Sequence, residues 1–281
     1  MRLVDFILNL AGLLLWVKWR SLPFDPFHRR TPATLVGTLR RAAPSHFRRW
    51  HLLAGIAALL LLRALFYWQI GSAFTPVWVG KVNLEPTVLT FVSNSLGRML
   101  VFSLFSFAQA FGILYLWLLL LSLLTGPAAM EHPLQRMVRQ QLGRIAAWPR
   151  WSKLLLPWAA TALAWGVVSW PFGWLHPQTA MSATHRLAES LIIGLGSYLA
   201  WKPLAAGLLG LRLLNTYVYF GRHSFWNEVQ LTSQILLAPL RRLPLRVGRA
   251  DLAPAAGILL VWAAADLAER GLAHLYARVF F

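Results

Sequence analysis

Six stretches, near 3–19, 51–70, 99–124, 153–170, 204–220 and 252–268, are long and apolar. Each approaches or exceeds the roughly 20 residues needed to cross a bilayer. No other feature limits this chain so strongly. Composition agrees: 58% of residues are hydrophobic and only 13% are charged, where soluble domains carry about a quarter charged residues. No polar region is long enough to bury a core of its own. The expected fold is an all-α polytopic membrane protein, a single membrane domain over 1–281 with about six transmembrane helices.

The net charge of +18 raises nucleic acid as a partner, but its distribution points elsewhere. Of the 27 Lys and Arg residues, 19 fall in the windows 18–50, 125–153 and 212–250, each between apolar runs. That is the positive-inside pattern, whose natural partner is a bilayer with anionic headgroups. The basic loops are therefore expected in the cytoplasm, with both termini outside, in a multi-pass protein of the inner (plasma) membrane. No nucleic-acid partner is expected. The apolar stretch 1–19 has neither a basic leader nor a small-residue cleavage site, so it reads as a retained first helix. Cysteine is absent, which excludes disulfides, thiolate metal sites and thiol catalysis.

Taken in order, the first helix, 3–19, leads into a proline-punctuated polar loop, a short amphipathic stretch at 34–41 and a second helix carrying Arg63. Residues 71–86 read as an outer loop. The run 87–124 is too long for one perpendicular span and divides into an interfacial helix near 87–97 and a third spanning helix. Residues 131–147 place Leu134, Met137, Val138, Leu142 and Ile145 on one helical face and Arg136, Arg139 and Arg144 elsewhere, the pattern of a surface-lying helix. The run 187–220 is interrupted by Lys202-Pro203 and divides there into an outer helix and a fifth spanning helix, 204–220, and 224–237 is a further surface helix. A recurring order follows: membrane helix, polar link, amphipathic helix, Pro-basic knot, membrane helix. It spans about 3–70, 100–170 and 205–270. Pro133 and Asn227 are 94 residues apart, and Ser95 and Ser190 are 95 apart, so two independent markers give nearly one offset.

The last knot is the densest. Pro239 and Pro244 end the amphipathic helix, because proline lacks an amide donor and clashes with the preceding turn. Gly248 permits backbone angles that other residues avoid. Arg241, Arg242, Arg246 and Arg249 crowd the membrane face, and Asp251 stands where a carboxylate can cap the next helix or pair with Arg249 or Arg242, with a proton or ligand site as the functional alternative. Pro239-Leu240-Arg241-Arg242-Leu243-Pro244, then Gly248 and Asp251-Leu252-Ala253-Pro254, resembles the signature of the YggT family of integral membrane proteins, over roughly 205–272. The chain departs from that signature at Arg249, where the family has a second glycine, at Ala253, where it has serine, and at Asn227-Glu228, where it has Asn-Pro. The resemblance implies a non-catalytic membrane protein. Members of that family are associated with membrane-protein or cytochrome assembly in plastids, and with cell-division neighbourhoods and osmotic tolerance in bacteria.

Two arginines sit inside spans. A cation there costs several kcal/mol unless it is paired or snorkels. Helices one and two run antiparallel, which brings Asp5 to the same side as Arg63 and makes it the expected partner. Arg212 has no evident acidic mate. The four knot arginines have topology setting and headgroup contact as their ordinary role, with docking of a partner protein's acidic segment as the functional alternative. The eight histidines lack ligand spacing, and no phosphate loop, nucleophile–base set or carboxylate pair is present. No metal, cofactor or catalysis is expected. Ala206 and Gly210 form a small-xxx-small pair, a weak cue for close helix packing. The tryptophans near span ends read as interfacial anchors. The expected function is a scaffold, or an assembly or stress-related factor, possessing amphipathic helices that grip anionic lipid and a possible membrane-protein partner. The alternative is a channel or transporter for ions or small solutes, for which repeats, broken segments and intramembrane arginines are also expected features.

Overall fold

The computed structural model describes residues 2–21, 49–73, 77–84, 87–124, 133–175, 183–218, 224–238, 240, 246–247 and 250–280. Its elements in chain order are α1 (Arg2–Ser21), α2 (Arg49–Ser72), β1 (Val79–Leu84), β2 (Thr87–Val92), α3 (Leu96–Leu124), α4 (Pro133–Leu142), a 3-10 turn (Gly143–Ala147) and α5 (Arg150–Leu175). There follow α6 (Ala183–Gly196), a 3-10 turn (Ser197–Ala200), α7 (Trp201–Tyr217), α8 (Ser224–Leu236), β3 (Arg246–Val247), β4 (Ala250–Asp251) and α9 (Ala253–Phe280). The amphipathic stretch expected at 34–41, and the knot residues Pro239, Arg241, Arg242, Pro244, Gly248 and Arg249, lie outside the described residues.

The chain is mainly helical, and three of its described helical stretches are long and apolar enough to cross a membrane: Trp50–Gly71, Leu96–Leu124 and Ala183–Tyr217. The other long helices, α1, α5 and α9, have 20, 26 and 28 residues but are more diluted by polar residues and tryptophan. Two compact units emerge. One comprises Met1–Val82 and Leu89–Gly112, the other Asn83–Val88 and Ile113–Phe281, so α3 gives its first half to one and its second half to the other.

The fold departs from an all-α expectation in the segment read as a loop and an interfacial helix. Residues of β1 and β2 pair instead as a two-stranded sheet. Val79, Val82, Thr87, Val88, Thr90 and Val92 are β-branched, stiff at χ1 and suited to a pleated surface. In β1 burial alternates with period two, Gly80 and Val82 inward and Val79 and Lys81 outward, which a helix cannot produce. A Cβ on Gly80 would lie 2.8 Å from ring atoms of Phe102, so only glycine admits the strand this close.

A second correction concerns the run 187–220. Lys202-Pro203 does not break it. Pro203 sits in the first turn of α7, where its missing amide costs nothing. Its ring excludes the α-helical position of the carbonyl four residues earlier, Leu199, and that residue falls in the 3-10 turn Ser197–Ala200. The irregularity is displaced upstream by one turn. Likewise the amphipathic helix expected over 131–147 ends as an α-helix at Leu142, because Gly143 takes φ 57°, the left-handed conformation that commonly closes helices. The last helix runs to Phe280, twelve residues past its expected end.

In the larger unit two apolar clusters repeat one plan. Val138 and Leu142 of α4 pack with Leu118 and Leu119 of α3, and Leu156 of α5 joins them. After α8, Leu237 and Leu240 pack with Leu209 of α7, joined by Ile258 and Val261 of α9. Each short helix thus leads apolar side chains into the seam between two long ones. The apolar face of α4, expected on lipid, is spent largely within the bundle.

Candidate functional site

Arg63 is the largest fully buried side chain in the described residues, 1% exposed. It projects from the middle of α2, and α1 and the first half of α3 supply its partners. Nη2 donates to Asp5 Oδ1 at 2.6 Å and to Ser106 Oγ at 2.6 Å, and Nη1 donates to Asn9 Oδ1 at 2.7 Å. Asn9 also donates from Nδ2 to Ser106 Oγ at 3.2 Å. Tyr67, one turn after Arg63, donates its hydroxyl to the same Asp5 oxygen at 2.9 Å. Asp5 and Asn9 are four residues apart and so share a face of α1, as Arg63 and Tyr67 share a face of α2. The expected Asp5–Arg63 pair is present; Asn9, Tyr67 and Ser106 are additions.

Aromatic rings enclose this network. The Arg63 guanidinium carbon lies 5.2 Å from the Phe102 ring centroid and 5.9 Å from that of Tyr67, within cation–π range. Trp78, just before β1, stacks on Tyr67 at 4.5 Å and meets Phe102 edge-on at 5.6 Å. In this low-dielectric setting each polar bond strengthens and each missing one becomes costly. One donor is unmet: Arg63 Nε is buried with no hydrogen-bond partner among the described residues.

Arg212, the second cation expected inside a span, also has a side-chain partner on a neighbouring helix. Arg212 of α7 donates from Nη1 to Ser233 Oγ on α8 at 3.3 Å. A third charge centre escaped sequence reasoning. Lys202, at the start of α7, donates to Glu269 Oε1 at 3.0 Å, and its ammonium stands 4.7 Å from the Trp262 ring centroid. Glu269 lies beyond the helix end expected at residue 268, and the signal that places it is the continuation of α9.

At the knot, β3 pairs antiparallel with β4, Arg246 opposite Asp251 and Val247 opposite Ala250. Asp251 Oδ1 accepts from the Ala253 amide at 3.1 Å, satisfying one of the donors a helix start leaves open. The Leu252 carbonyl accepts from Ala256, so the carboxylate acts from one position before the cap residue.

Gly210 does not mark a close helix contact: a Cβ there would meet nothing within 4 Å. The close approach is at Gly194 of α6, where a Cβ would lie 2.7 Å from the Trp158 carbonyl of α5. The 3-10 turn frees backbone groups, and two tryptophans take part there. Trp117 Nε1 donates to the Ala200 carbonyl at 2.7 Å, and Trp201 Nε1 donates to the Leu116 carbonyl at 3.0 Å. Each ring serves the residue that precedes the other.

No group of three or more His, Cys, Asp or Glu among the described residues is placed to hold a metal ion. The polar networks join helices, α1, α2 and α3 through Arg63 and α7 and α9 through Lys202. Searches against protein-family models, curated proteins and solved structures find no match.

Proposed function

We propose that the chain is a non-catalytic integral membrane protein of YggT-like type, a scaffold or an assembly or stress-related factor. In this reading six helices cross the inner (plasma) membrane in three tandem units. The termini are outside, the basic segments are cytoplasmic, and the partners are anionic lipid and another membrane protein. The observation that carries it is the Arg63 network. The most deeply buried cation spends its Nη donors on Asp5, Asn9 and Ser106, so it serves as an internal bolt between helices. Lys202 is likewise held, by Glu269. Large apolar side chains face outward along the long helices, Leu61, Leu62, Leu104, Leu163, Val167 and Leu259 among them, which suits lipid and not water. The two matching apolar clusters around α4 and α8 support the tandem reading.

The test is proteoliposome flux of ions and small osmolytes, run beside photo-crosslinking from position 242 in cells. A specific crosslinked membrane protein without flux is expected. Flux that disappears in Arg63→Ala, with the variant shown to be folded, would refute the scaffold. Reporter fusions at residues 182 and 234 test the orientation: signals opposite to outside and inside, respectively, would overturn it.

One observation favours a channel or transporter as the second reading. The span Ala183–Tyr217 is interrupted by a 3-10 turn, and discontinuous helices line solute sites in transporters. Against it, the Ala200 carbonyl at that turn already accepts the Trp117 indole proton.

A further inference from the structure

Cations gather at the corner where α4 turns into α5. No acidic residue occurs between Glu131 and Glu189. Arg139 and Arg144 are exposed around the Gly143 turn, and Arg150 is exposed at the first residue of α5. None of the ion pairs among the described residues involves them. Inside the corner, Lys153 is buried and fixed, donating from Nζ to Ser122 Oγ at 2.9 Å and to the Ala146 carbonyl at 2.7 Å. Arg139 and Arg150 lie near enough to Lys153 to repel it electrostatically.

Two exposed rings flank this corner. Trp148 and Trp151 are 45% and 80% exposed on either side of Pro149. Indoles left bare beside arginines belong at the headgroup layer, where an apolar ring with one polar edge is best accommodated. Arginine's planar fork matches phosphate oxygens two at a time.

We propose that this corner, with Arg139 and Arg150 outside and Lys153 within, binds the phosphate of an anionic phospholipid headgroup between the Trp148 and Trp151 rings. The site rests on the membrane reading above and gives its lipid contact an address distinct from the 239–251 knot.

The test uses the full-length chain in neutral detergent, titrated with phosphatidylglycerol or phosphatidylcholine and followed by native mass spectrometry. Wild type should prefer phosphatidylglycerol. Arg139→Gln with Arg150→Gln should weaken that binding about thirty-fold, from two surface charges. Arg139→Lys with Arg150→Lys, which keeps both charges but loses the planar fork, should weaken it by an intermediate amount. Arg98→Gln with Arg278→Gln, exposed positions elsewhere, should change it less than about three-fold. Equal loss in the control would overturn the site and leave the general lipid reading in place. Wild type without preference for phosphatidylglycerol would overturn both. Displacement of the lipid by millimolar inorganic phosphate would identify a free-anion site instead and overturn the headgroup assignment. Matching melting curves for all variants guard against misfolding, and Lys153 is left intact because its two hydrogen bonds hold the corner together.

Discussion

Asp5→Ala should destabilise the protein more than Arg63→Met, although both remove the same ion pair. Arg63 is 1% exposed, whereas Asp5 is 23% exposed. Losing Asp5 strands a buried cation, a change that costs about 3–5 kcal/mol in water-soluble cores. Asn9 and Ser106 still accept from the guanidinium, which brings the expectation to about 2–3 kcal/mol. Losing Arg63 leaves Asp5 with the Tyr67 hydroxyl and partial access to solvent, and methionine refills most of the volume, so about 1–2 kcal/mol is expected. The double variant should cost less than the sum, with a coupling of about 1–2 kcal/mol, near the upper end for polar contacts between membrane helices. Reversible unfolding in mixed micelles, followed by tryptophan emission, measures all three. Additivity within about 0.5 kcal/mol, or Arg63→Met as the costlier change, would refute the assignment of Arg63 as a bolt that depends on its carboxylate.

Gly194→Ala should cost about 1–3 kcal/mol, because its Cβ meets the Trp158 carbonyl. Gly210→Ala, in open space, should be neutral or stabilise by up to about 1 kcal/mol through helix propensity; thermal melts of the two variants separate these outcomes. Trp117→Phe removes the donor to the Ala200 carbonyl and should lower stability by about 1 kcal/mol, with faster hydrogen exchange in the turn 197–200 as the local readout. Asp251→Asn should keep the cap and Asp251→Ala should lose about 1 kcal/mol; equal melting temperatures for the two would show that the contact with Ala253 contributes nothing.

What was legible in the sequence depended on whether a residue's partner could be reached by counting. The Asp5–Arg63 pair follows from two antiparallel helices joined in sequence. The third leg, Ser106, does not, because α3 arrives through a two-stranded sheet that hydropathy reads as a loop followed by a helix. Only the β-branched alternation around Gly80 signals it. Lys202-Pro203 reads as an interruption, but the irregularity falls one turn upstream, since Pro203 constrains the carbonyl four residues before it. Glu269, the mate of Lys202, is hidden by an assumed helix end. The amphipathic pattern of α4 shows its apolar face, and Val138 and Leu142 on that face meet α3 and α5. Periodicity tells which side of a helix is apolar, and a chain with several long apolar helices offers its own helices to that side.

The exchange between Trp117 and Trp201 has a consequence in time. Its halves are separated by 83 and 85 residues. At roughly 5–20 residues per second, ribosomes need on the order of 4–17 s to deliver the second half. Through that interval the Trp117 indole has no Ala200 carbonyl to meet, and α3 waits with an open donor. The two bonds then close together, because sliding either helix by one residue breaks both. Chain elongation therefore sets when α3 acquires its register against α7.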